Sequence, residues 1–207
     1  MGHIHVIATI ALIHLLAAMT PGPDFVMSVR NSLTYSRRTG IFTALGFSLG
    51  IAVHVTYCIA GIAVIIARSL TLFTMIRYVG AAYLLYIGIR SIYVRSRIEV
   101  PHEKAAKDIS ALKAVRMGFL TNILNPNATL FILGLFTIVI DPGTPRLIMI
   151  IAGMIMVIQT FCWFSFVAIF LNEKHVRSFV DRFQGYFNMI FGGLLILLAI
   201  RIAFFPS

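Results

Sequence analysis

Six long apolar runs, separated by short polar or basic connections, divide the chain. Each can form a helix across about 30 Å of hydrocarbon, which takes about 20 residues. The pattern predicts spans at 4–29, 40–67, 73–94, 114–140, 147–171 and 184–205. The alternation of a membrane barrel is absent, and the runs are too long for strands. The first run has no Lys or Arg before it and exceeds a signal-peptide core, so it reads as a span. The expected fold class is an all-α integral membrane protein with six transmembrane helices.

Two of the runs are interrupted. Thr20-Pro21-Gly22-Pro23-Asp24 breaks the first, and Asn125-Pro126-Asn127 breaks the fourth. Prolines and glycine cannot sustain the helical hydrogen-bond ladder. In hydrocarbon the freed backbone groups need protein or cavity water as partners. Thr20 and Asn125 suit the N-cap position, and Pro21 and Pro126 the first helical position. Each break therefore predicts a half-helix followed by a fresh helix N-terminus, which favours anions. Pro21 lies nine residues from Arg30, about 13 Å, and Pro126 ten from Arg116, about 15 Å. Both breaks are expected near the bilayer middle.

Composition agrees. The 207 residues are 59% hydrophobic and only 12% charged, against about 25% charged in soluble domains. The mean hydropathy is +0.95. The net charge of +10 is distributed as topology rather than as a nucleic-acid surface. Thirteen of the 17 basic residues fall on the first, third and fifth connections, and Arg68, Arg77, Arg146 and Arg201 on the other side. The positive-inside rule puts the basic connections in the cytoplasm and both termini outside. The basic loops are expected to touch anionic lipid heads, with no nucleic-acid partner. Cys58 and Cys162 lie within apolar runs and read as buried thiols.

The halves also match each other. A shift of 105 residues lays Thr20-Pro21 on Asn125-Pro126 and His54 on Gln159. A shift of 111 lays Arg90 on Arg201. Three helices per copy make the second copy enter from the opposite face, an inverted repeat as in many secondary transporters. The chain reads as one domain, 1–207, with repeat one about 1–94, a cytoplasmic connection about 95–113 and repeat two about 114–207.

The candidate chemistry gathers at the breaks. Asp24 is the only acid inside any span. A buried carboxylate is costly unless protonated or paired. It could meet a substrate ammonium group or carry a proton, and competition between these roles gives antiport. Asn122, Asn125, Asn127 and Thr129 fit a cavity wall better than a lipid face. The expected substrate-binding set is Thr20, Pro21, Gly22, Pro23, Asp24, Asn122, Asn125, Pro126 and Asn127, with Asp24 and His54 as proton-coupling candidates. A packing role weighs against proton relay for both His14 and His54. No metal or cofactor is expected. Gly46 and Gly50 form a G-x-x-x-G packing face, for a helix of this chain or of a second copy in a homo-oligomer.

LLAAMTPGPDF, NPNATLF and TGIFTALGFSLG together resemble the LysE/RhtB amino-acid exporter family, most nearly its threonine and homoserine exporters. The resemblance spans the chain. It implies a bacterial inner-membrane exporter, not an enzyme, driven by the proton gradient, with a small and neutral amino acid as substrate. Asn127 stands where family members often carry lysine. The other readings are an exporter of another small solute or ion, a non-transporting membrane partner protein, and a membrane enzyme. No H-E-x-x-H or G-x-S-x-G motif supports the last.

Overall fold

The computed structural model describes residues 3–20, 22–93, 107–170 and 173–204. These form eight α-helices: α1 (His3–Met19), α2 (Pro23–Thr34), α3 (Arg37–Arg68), α4 (Leu70–Tyr93), α5 (Ala111–Ile123), α6 (Pro126–Val139), α7 (Arg146–Phe170) and α8 (Glu173–Phe204). No strand occurs among the described residues. α3, α4 and α7 are each long and apolar enough to cross a membrane. The bent pairs α1–α2 and α5–α6 raise the count to five if each pair is one span. The last apolar segment, Asn188–Phe204, is shorter and forms the end of α8. α8 starts before the expected residue 184, because the preceding stretch 173–183 has no proline or glycine to stop it.

Serine caps fix several helix starts. The Thr39 N–H donates to Ser36 Oγ (3.1 Å), the Leu72 N–H to Ser69 Oγ (3.2 Å) and the Lys113 N–H to Ser110 Oγ (3.3 Å). Asp108 joins two of these starts: it accepts from Ser36 Oγ (2.8 Å) and from the Thr39 hydroxyl. Those two hydroxyls, Thr39 first, hold its carboxyl below the usual carboxylate range. The segment before α5 is thereby tied to the start of α3.

Small residues set the helix crossings. A methyl group at Gly46 would overlap the backbone of Val115, Gly118 and Phe119, so α3 and α5 touch backbone to backbone. The G-x-x-x-G face of α3 thus has its partner within the chain. Gly88 of α4 and Gly192 of α8 approach each other's carbonyl oxygens in the same way.

The apolar core is unequal along the bundle. One end of the molecule carries the α2–α3 turn, the end of α4 and the start of α5; it is called here the connection end. In the opposite half, six helices contribute to one large cluster, including Ile13, Val55, Leu84, Phe136, Met156 and Leu195. Among the described residues of the connection half, α2, α3 and α7 form a smaller cluster around Phe25, Phe47 and Phe164. Large side chains such as Leu147, Met154, Ile158 and Phe170 of α7 face outward, as lipid contact requires. Cys58 is buried, but Cys162 is exposed on that outward face of α7, contrary to the expectation of two buried thiols.

Candidate functional site

Both interrupted runs bend where the sequence breaks them, by 54° between α1 and α2 and by 60° between α5 and α6. Between them lies a cavity of about 420 Å³, within the roughly 300–1,000 Å³ of small-molecule sites. Thr20, Gly22, Pro23, Asp24, Asn122, Asn125 and Asn127 line it. Pro126 does not; it is exposed, at the first position of α6. Pro21 lies outside the described residues.

The two new helix starts differ. α6 begins as expected, with Asn125 as N-cap: its side-chain oxygen accepts the Asn127 N–H at 3.0 Å. α2 does not begin at Thr20. Its N-cap is Gly22, in extended conformation, with Pro23 at the first helical position and no side-chain cap. The Thr20 hydroxyl instead donates back to Leu16 O (2.9 Å) and finishes α1. The shift by two residues follows from the second proline, which takes the first helical position in place of Pro21. It also places Asp24 in the first turn, where a negative charge meets the positive end of the helix.

Asp24 links the two breaks. Asn122 Nδ2 donates to Asp24 Oδ2 at 2.7 Å. Asp24 Oδ1 is buried with no hydrogen-bond partner among the described residues. Asn122 is itself 1% exposed. Its side-chain oxygen faces Gly50, where any Cβ would collide with it. Its carbonyl accepts the Asn125 N–H (3.0 Å), and His54 Nε2 lies 3.3 Å away. A carbonyl can only accept, so Nε2 carries the hydrogen. His54 Nδ1 then accepts from the Tyr57 hydroxyl at 2.6 Å. His54 does not line the cavity; it reaches Asp24 only through Asn122.

His14 does line the cavity. Its Nδ1 donates to Gln159 Oε1 (3.2 Å), whose orientation is fixed by the Gln159 Nε2 bond to Ala11 O (3.2 Å). Thr129 turns inward on its own helix, donating to Asn125 O (3.3 Å). Tyr83 donates to Asn127 Oδ1 (3.4 Å).

Four polar lining groups were not singled out from the sequence as site residues: Arg90 and Ser91 of α4, Thr160 of α7, and Asn188 of α8. Ile87, Arg90 and Ser91 recur at helical spacing and share one face. That spacing was the available signal, but a cation near the end of an apolar run reads first as a topology marker. The remaining wall is apolar, with Phe131 and Phe191 rings 5.9 Å apart. Among the described residues, no group of three His, Cys, Asp or Glu could hold a metal.

A bundle of apolar helices, two of them bent beside a cavity, defines a multi-pass membrane protein of the transporter class. The chain belongs to the LysE type translocator family, whose model matches residues 15–204. Its relatives include a threonine efflux protein of Escherichia coli (strain K12), 28% identical over 93% of this chain and 96% of the relative. A leucine efflux protein of Klebsiella pneumoniae is 27% identical over 91% and 90%. An uncharacterized membrane protein of Bacillus subtilis (strain 168), YrhP, is 28% identical over 90% and 92%. No solved structure matches significantly. The protein is thus a membrane transporter of an efflux family, not an enzyme, with a small molecule as cargo.

Proposed function

We propose that the chain exports a small, neutral amino acid, threonine- or homoserine-like, across the bacterial inner membrane by proton antiport. The observation that carries this reading is the Asn122–Asp24 hydrogen bond, which joins the two helix breaks inside one cavity. Asp24 is a carboxylate with one oxygen held and the other without a partner among the described residues. Such a group is stabilised by a proton or by a cationic group arriving from the cavity. It cannot hold both at once. Cargo binding therefore displaces the proton, and proton binding displaces the cargo, which is the condition for antiport. The efflux names of two relatives support an amino acid as cargo. Another small solute or ion remains the second reading.

In this reading Thr20, Gly22, Pro23, Asn125 and Asn127 shape the ends of the substrate space, Pro126 starts α6 beside it, and Pro21, outside the described residues, belongs to the proposed set. Asn122 and His54 hold Asp24 in position, with His54 in the proton-coupling unit. The six-span plan, with one domain of two inverted repeats, belongs to the same proposal. Its support is the bend at corresponding places and the pairing of α4 with α8. The connection end is taken as cytoplasmic, from the distribution of basic residues.

Efflux from cells preloaded with a panel of labelled amino acids, compared with empty-vector cells, tests the function. Faster loss of one or more neutral amino acids is expected, and equal loss across the panel would rule the reading out. Orientation is tested by single cysteines at Ser96, Ser178 and Ser207 in a background lacking Cys58 and Cys162. Only the Ser207 position should react with an impermeant reagent in intact cells; labelling at Ser96 would invert the topology.

A further inference from the structure

We propose that Arg90 receives the carboxylate of the transported amino acid, so that the cavity reads both charged ends of a zwitterion. This rests on the amino-acid export reading above and names the group that completes its site. Among the described residues, the charged side chains lining the cavity are one of each sign, Asp24 at the first break and Arg90 on α4. Arg90 lies three residues before the end of α4, so the cavity extends from the breaks toward the connection end.

Three observations give Arg90 this task. No described carboxylate lies within ion-pair distance of it, whereas Arg77, at the other end of α4, pairs with Asp141 at 3.6 Å. Its guanidinium offers a planar fork of donors that matches a carboxylate. The other candidate for an anion, the start of α6, is largely used up. Pro126 has no N–H, the Asn127 N–H is held by the Asn125 side chain, and the Thr129 N–H by Asn125 O (3.1 Å). That leaves Ala128 as the single first-turn donor. The start of α2 already carries Asp24, whose charge repels a second carboxylate. With the ammonium group at Asp24 and the carboxylate at Arg90, the side chain meets the Phe131 and Phe191 wall.

A guanidinium near a helix end also attracts lipid phosphate, so the test must separate the two anions. The full chain is reconstituted in neutral phosphatidylcholine vesicles and in vesicles with added anionic lipid. Uptake of labelled leucine and threonine is measured with leucine or leucinamide as competitor. For the wild type, leucinamide should compete at least about 10-fold more weakly than leucine, in both lipids, as expected for loss of a charge-assisted contact. Arg90→Gln should raise KM by about 10-fold or more with little change in kcat, and should narrow the acid–amide difference. Arg90→Lys should keep part of that difference, since it retains charge without the fork. Equal competition by leucine and leucinamide on the wild type would overturn the proposal without any variant. So would an Arg90→Gln protein with unchanged KM and acid preference, or one whose defect follows the lipid and not the competitor. A wild-type protein that moves no amino acid overturns the exporter reading, and this inference with it.

Discussion

The two helix breaks look alike in sequence and bend by similar angles, yet they are finished differently. At the second, Asn125 caps α6 with its own side chain and leaves little for a ligand. At the first, α2 starts on Gly22 without a side-chain cap and carries Asp24 in its opening turn. The second break contributes mainly from its incoming side, through Asn122 at the end of α5. In the proposed reading one break serves structure and the other chemistry, and a single amide joins them. A shared proline does not make two helix starts equivalent; the residue before it and the acid after it decide what each can bind.

The strongest way to break this comparison is at Asp24. Asp24→Asn keeps size and hydrogen bonding but cannot ionise. Proton-driven transport in vesicles should fall by on the order of 100-fold or more, as when a group taking part in proton transfer is lost. Membrane insertion should be unchanged. A wild-type rate with an unaltered pH profile would make Asp24 structural and the two breaks alike after all.

Asn122→Ala comes next. It removes the hydrogen bond that the described residues make to Asp24, of a kind worth about 1.5–3 kcal/mol. Apparent affinity should drop by roughly 10- to 100-fold, read as KM in the same vesicles. An unchanged KM would mean that the link between breaks does not set the geometry of Asp24.

The caps sharpen the contrast on stability. Asn125→Ala should lower stability by about 1 kcal/mol through loss of a real N-cap. Thr20→Ala should cost clearly less, because its hydroxyl bonds back to Leu16 O within its own helix. Thermal unfolding in one detergent compares them, and equal losses would return Thr20 to the role of a cap.

The smallest effect is expected at Asp108, which braces the lead-in to α5 and so the second break. Its carboxyl is held below the ordinary range by the Thr39 and Ser36 hydroxyls. A depressed group stabilises the fold above its unfolded pKa, and that contribution fades as pH falls through the folded value. The Tm gap between wild type and Asp108→Asn should thus be small near neutrality and close in acid. A gap that widens on acidification would contradict the brace.

The breaks themselves were legible because proline chemistry is local: Pro126 and Pro23 dictate a helix start wherever the chain runs. Asp24 was legible because an acid in an apolar run stands out. The cap at the first break was not, since two prolines offer two starts and only packing chooses between them. Arg90 was not legible as a cavity residue, because charge near a span end has a general explanation. Its share in the cavity depends on α4 lying beside α8, which a sequence fixes only through distant contacts such as Gly88 with Gly192. His54 was visible as a polar residue, but its place behind Asn122, away from the cavity, was not.

The glycine contacts have a mechanical consequence. At Gly46 and Gly118, α3 and α5 meet with no side chain between them. At Gly80 and Gly134, α4 and α6 pack closely with the Thr137 and Leu84 side chains against the glycines, and Gly88 with Gly192 joins α4 to α8. Pairs packed this closely have little room to slide, so each is expected to move as one piece. α5 therefore travels with α3, and α6 with α4 and α8. The chain crosses between the two groups at Ser69, between α4 and α5, and at the short step from Ile123 to Pro126. The last of these lies within two residues of the amide that grips Asp24, so rocking of one group against the other would bend the chain beside the site.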